Sequence, residues 1–152
     1  MLREEFINAK RIVIKLGTNV LRNSDGEVAI SRIYSFIEDM AKLVKQGKEV
    51  ILVTSGAVGL GKKKLNLEST AEDGVKQACA AVGQSRLMSF YENGFGIYDV
   101  PIAQILLTED DFSLRYRYLS LRTTLNKILE FGVVPIINQN DTVSTIEMNP
   151  ML

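Results

Sequence analysis

The stretch from Glu49 to Gly61, EVILVTSGAVGLG, constrains the fold of this chain most. It opens as an unbroken apolar run, Val50-Ile51-Leu52-Val53. Such a run reads as a strand covered on both faces, as in a parallel sheet. The run stops at Thr54-Ser55-Gly56, and glycines return at Gly59 and Gly61. A buried strand that ends in a glycine-bearing turn and leads into a helix can cradle an anion. Glycine bares backbone N–H groups, and a helix start carries partial positive charge. On sequence alone an anion-binding loop and a plain tight turn are equally good readings of these glycines.

The same plan recurs along the chain. Arg11 to Leu16 (RIVIKL) reads as a first strand that runs into Gly17-Thr18-Asn19. Turn chemistry follows at Asn23 to Glu27, with Asp25-Gly26 as pivot. Ile33, Phe36, Ile37, Met40, Ala41 and Val44 share one face of a helix predicted from Ser31 to Gln46. Ser31 is its expected N-cap and Gly47 its expected C′ residue. A second helical pattern spans Ala71 to Tyr91, with a break expected at Gly83. Val100 to Leu107 and Val133 to Ile137 read as two more strands. Between them lies a helix with Tyr118, Leu121, Leu125, Ile128 and Leu129 on one face. The order β-α-β-α-β-α-β predicts an α/β fold, a mainly parallel sheet between helices. The tail from Thr142 onward is expected to be irregular, and the last strand to form an unpaired sheet edge.

In a parallel sheet the strand C-termini share one edge, where ligands bind. Four polar clusters should fall there: Lys15 to Thr18, Thr54 to Gly56, Thr108 to Asp111, and Asn138 to Asp141. Lys15 stands at the end of an otherwise apolar strand and beside Gly17. A lysine next to bare backbone donors suits a phosphate, and a snorkelling lysine is the plainer alternative. Gly56 to Lys63 approaches a P-loop, but Lys63 stands where a hydroxyl should hold Mg²⁺. The glycines do not follow the dinucleotide fingerprint either. Thr108 to Asp111 reads as a helix start, with Thr108 as cap and acids in the first turn. Asn138-Gln139-Asn140-Asp141 offers donors and a carboxylate to a small zwitterion, or else forms an Asx turn.

Composition removes several chemistries. There is no histidine, so Ser-His-Asp and Cys-His catalysis and His-ligated metals are out. Lys plus Arg and Asp plus Glu both number 18, which argues against nucleic acid as a partner. For the same reason Arg115-Tyr116-Arg117-Tyr118 reads as a helix face, not a base-stacking platform. The lone Cys79 sits among alanines and reads as helix packing in a reducing, cytoplasmic setting. No apolar run is long enough to span a membrane. Phosphoryl transfer needs no protein nucleophile and stays open.

RIVIKLGTNVL, VILVTSGAVGLGKKKL, KQACAAVGQSRLM, AQILLTEDDF and VVPIINQNDTVST together resemble the glutamate 5-kinase family, within the amino acid kinases. The resemblance implies transfer of a phosphoryl group from ATP, with Mg²⁺, to the γ-carboxylate of L-glutamate, the first step of proline synthesis. It implies that Lys15 neutralises the moving phosphoryl group and that Gly17 and Thr18 line the phosphates. Ser55, Gly56, Asn138 and Asp141 would bind glutamate, with Asp141 on its ammonium. The family usually has Glu where this chain has Gln139. The resemblance places residues 1–152 in the N-terminal, glutamate-side part of an amino acid kinase domain. The family's G-D-N-D segment, its ATP-binding half and its frequent PUA domain have no counterpart in these residues. The chain is therefore expected to be a shortened kinase without turnover of its own. The alternatives are a non-catalytic binding or dimerisation module, or the kinase part of a bifunctional pyrroline-5-carboxylate synthase. A homo-oligomer and feedback inhibition by proline are also implied.

Overall fold

The computed structural model describes residues 7–23, 28–72 and 74–143. The turn expected at Asp25-Gly26 and the tail beyond Val143 lie outside them. The elements are β1 (Arg11–Leu16), α1 (Ile30–Lys45), β2 (Glu49–Thr54), α2 (Ala57–Lys64) and α3 (Val75–Gly96). Then come β3 (Ile102–Leu107), α4 (Asp110–Ser113), α5 (Arg115–Glu130) and β4 (Val134–Gln139). All strand pairs are parallel, in the order β1-β2-β4-β3.

The last strand is thus interior, not an edge as expected from chain order. Burial explains its place. Val134, Pro135 and Ile136 are all fully buried, so β4 is best covered between two neighbours. The edges fall to β1 and β3, which carry the exposed Arg11, Lys15 and Gln104. Pro135 sits in this central strand without breaking it. The Val134 N–H donates to Pro101 O on the β3 side, so the missing donor of Pro135 faces β2. The β2 ladder begins only at Ile136, one residue later.

One face of the sheet carries the main core. Ile33, Ile37 and Met40 of α1 and Leu87, Tyr91 and Phe95 of α3 close on Val50, Leu52, Val134 and Ile136. The other face carries α5, which packs on β4. Its Asn126 accepts a hydrogen bond from Arg11 at 3.2 Å. Further along β1 the same face is open, and Val13 is 62% exposed. Among the described residues no helix is long and apolar enough to cross a membrane.

Helix ends follow one device. In α1 the Gly47 N–H donates to Val44 O and the Lys48 N–H to Leu43 O. In α5 Gly132 and Val133 repeat this with Leu129 and Ile128. Both are Schellman caps, and each feeds the chain directly into a strand. The start of α1 differs from expectation. Ala29, not Ser31, is the N-cap, with no side-chain bond. The entry is set instead by the Ala29 N–H donating to Leu21 O at 3.0 Å, which ties it to the segment after β1.

Gly83 does not break its helix: α3 runs without interruption from Val75 to Gly96. Gly83 marks a close helix contact. A Cβ there would overlap the Ala57 carbonyl of α2, and one at Gly61 would overlap the Cys79 carbonyl of α3. Two glycines thus let α2 and α3 touch backbone to backbone. Cys79, wholly buried at that contact, is packing as expected.

Candidate active site

Because β1, β2 and β4 are adjacent and parallel, their C-terminal ends open on one cleft. It measures about 410 Å³, and Thr18, Ser55, Gly56, Asn138, Gln139 and Asp141 border it. Three of the four polar clusters read from the sequence therefore send residues to it, though Lys15 and Gly17 of the first cluster do not line it. The fourth, Thr108 to Asp111, sends none. It follows β3, on the far edge beyond β4.

The rim from β1 and β2 is bonded together. Thr18 Oγ1 lies 3.1 Å from Ser55 Oγ, and Ser55 Oγ donates to Leu16 O at 3.4 Å. The serine proton goes to the carbonyl, so Thr18 supplies the proton between the hydroxyls. Gly56 follows with φ at +97°, a left-handed conformation that side chains resist. It turns the chain from β2 into α2, whose first residues also border the cleft. Gly59 and Gly61 are helical, inside α2. The glycine series is therefore one turn residue plus packing residues, not an extended glycine loop.

Lys15 is exposed and in register with Val53, which borders the cleft. Parallel register puts both side chains on one face of the sheet. A Cβ at Gly17 would meet nothing within 4 Å, so the absent side chain leaves open space at this strand end.

Asn138 sits inside β4, because the strand continues two residues past Ile137. It is 6% exposed, and its Nδ2 donates to Gln84 Oε1 at 2.8 Å. Gln84 Nε2 in turn donates to Gln104 Oε1 at 3.0 Å. Asp141 follows in the turn after β4. Beneath the rim, Thr54 Oγ1 lies 2.7 Å from Tyr91 Oη, with Tyr91 fully buried. Burial pushes the Tyr91 phenol up to about 12, against the opposing hydrogen bond from Thr54.

Gln84 and Tyr91 went unread in the sequence. Ala80, Gln84, Leu87 and Tyr91 recur at helical spacing and are all buried. A glutamine within an apolar stripe was the available signal.

The segment after β3 is a helix start, as read, but its polarity is reversed. The Thr108 side chain accepts no cap bond, though the Thr108 carbonyl takes the Asp111 N–H at 3.2 Å. Its N–H and hydroxyl both donate to Asp111 Oδ2, at 2.7 and 2.9 Å. These two donors hold the Asp111 carboxyl below the usual range, with a smaller contribution from Arg117.

A parallel sheet with polar strand ends gathered at one cleft is the α/β plan in which ligands bind beyond the strand C-termini. The amino acid kinase family model matches residues 10–148, and the chain belongs to that family. Three relatives sharpen the likeness. The glutamate 5-kinase of Desulfotalea psychrophila is 49% identical over 148 residues, 96% of this chain and 39% of the relative. That of Pelobacter propionicus is 42% identical over 97% of this chain and 40% of its own length. That of Geobacter metallireducens is 46% identical over 91% and 38%. The chain thus spans about two fifths of the length of these relatives.

Proposed function

We propose that this chain forms the acceptor side of a glutamate 5-kinase, holding L-glutamate for phosphoryl transfer from ATP to its γ-carboxylate. The carrying observation is the meeting of Thr18, Ser55, Gly56, Asn138 and Asp141 at one cleft. These groups suit a zwitterion with an extra carboxylate. Asp141 pairs the ammonium and Asn138 offers a donor to a carboxylate oxygen, while Ser55 and Gly56 wall the cleft beside it.

In the reaction a γ-carboxylate oxygen forms a bond to the terminal phosphorus. The bond from that phosphorus to the bridging oxygen breaks, and ADP departs with the electron pair. The transition state carries spread negative charge, so positioning and fixed positive charge supply the catalysis. Lys15 serves as that charge, and the open backbone at Gly17 lets phosphate oxygens approach. Mg²⁺, bound together with ATP, would supply neutralising positive charge in such a reaction. Among the described residues no cluster of three His, Cys, Asp or Glu side chains could hold it. By resemblance the protein would be a cytoplasmic homo-oligomer. Proline, which repeats the α-carboxylate and ammonium of glutamate, would compete in the same cleft.

The test is a chimaera in which this chain replaces the matched stretch of the Desulfotalea psychrophila glutamate 5-kinase. Glutamate-dependent ADP release, with an acyl phosphate trapped by hydroxylamine, is expected. A folded chimaera without glutamate-dependent turnover would count against the reading.

A further inference from the structure

The amide side chains of Asn138, Gln84 and Gln104 form a continuous chain from β4 through α3 to β3. Its direction is not arbitrary. The Gln139 N–H can only donate, and it meets the Asn138 side chain at 2.9 Å. The atom it meets must therefore be Oδ1, which leaves Nδ2 toward Gln84. Gln84 must then present Oε1 to Asn138 and Nε2 to Gln104. One backbone N–H thus polarises three side chains.

Asn138 is the member of this chain that borders the cleft. Its Nδ2 carries two N–H groups, and Gln84 takes one. The other is left as a donor of fixed direction, matched to a carboxylate oxygen. Gln84 is nearly buried at 9% exposure. We infer that Gln84 is a positioning residue of the glutamate site, which holds the Asn138 amide in its donor orientation. The inference rests on the proposed function for its ligand, but the clamp itself rests on geometry alone.

The test uses the ¹⁵N-labelled 152-residue chain, followed by NMR at the Asn138 side-chain amide and titrated with L-glutamate. Gln84→Met keeps length and apolar packing but removes the acceptor. It should bring the two Asn138 Nδ2 proton shifts together and speed their exchange with water. It should also weaken glutamate roughly tenfold, the loss expected for one ordered hydrogen bond. Gln84→Glu restores the acceptor, while the exposed Gln104 can turn its amide to donate. It should recover both readouts at neutral pH.

Unmoved Asn138 resonances in Gln84→Met would overturn the clamp, whatever the affinity. So would a Gln84→Glu variant as impaired as Gln84→Met in both readouts, since packing alone would then explain the loss. A wild-type chain blind to glutamate, with Asn138 resonances that collapse in Gln84→Met, would uphold the clamp and overturn its substrate.

Discussion

Tyr91 Oη lies 2.7 Å from Thr54 Oγ1, and this buried pair ties the last residue of β2 to the C-terminal part of α3. The next residue, Ser55, borders the cleft, so the pair fixes where the rim begins. Removing the phenolic oxygen leaves the Thr54 hydroxyl without its buried partner. Tyr91→Phe should therefore destabilise the fold by about 1–3 kcal/mol in urea unfolding. Unchanged stability would show that the hydroxyl pair contributes nothing.

The same residue makes stability depend on alkaline pH. Its folded pKa, about 12, lies above the ordinary phenol value of 10. The stabilising difference is fully present below pH 10. Above it the unfolded chain loses its proton first, and stability falls until the folded phenol titrates. The wild type should lose about 2–3 kcal/mol more than Tyr91→Phe between pH 10 and 12. Parallel losses in the two proteins would contradict this.

The contact between α2 and α3 predicts a reversal of helix propensity. Alanine ordinarily stabilises a helix over glycine by about 1 kcal/mol. At Gly83 its Cβ would strike the Ala57 backbone, which cannot swing aside as a side chain can. Gly83→Ala should destabilise by roughly 1–3 kcal/mol or more. Gly96, in the same helix with nothing within 4 Å of a Cβ, is the control and should tolerate alanine. Thermal or urea unfolding of both variants decides the point, and equal behaviour would refute it.

Much of this was legible in the sequence, for definite reasons. Contiguous Val50 to Val53 has no polar group to expose, so a doubly covered strand was forced. Gly47 and Gly132 stand where Schellman caps need them. What escaped depends on contacts between distant segments. Nothing local in Gly83 distinguishes a helix break from a crossing point, because the difference lies in Ala57, 26 positions away. The place of β4 depended on which strands were left as neighbours. Asn138 looked like loop chemistry because its acceptor, Gln84, lies on another element. The cleft residues were found because strand ends in a parallel sheet share an edge. Thr108 to Asp111 was grouped with them, yet β3 is the far edge strand, with β4 between it and the glycine turn of β2.

Lys15 tests the phosphoryl side of the reading. In the chimaera, Lys15→Met removes the one cation at the end of β1 while leaving its exposed position unstrained. Turnover should fall by roughly a hundredfold or more, as when one transition-state donor is removed. Unfolding should be unaltered within about 0.5 kcal/mol. Turnover near wild type would return Lys15 to the role of a solvated edge residue.

The central claim is that the cleft at the ends of β1, β2 and β4 holds an amino acid with a side-chain carboxylate. Calorimetric titration of the 152-residue chain with L-glutamate and L-glutamine tests it most directly. The expected result is saturable binding of one L-glutamate, with L-glutamine weaker by about tenfold or more. Asp141→Asn should weaken glutamate by roughly 1.5–3 kcal/mol through loss of the ammonium contact. No saturable binding, equal binding of the two amino acids, or an Asp141→Asn variant with unchanged affinity would contradict the claim.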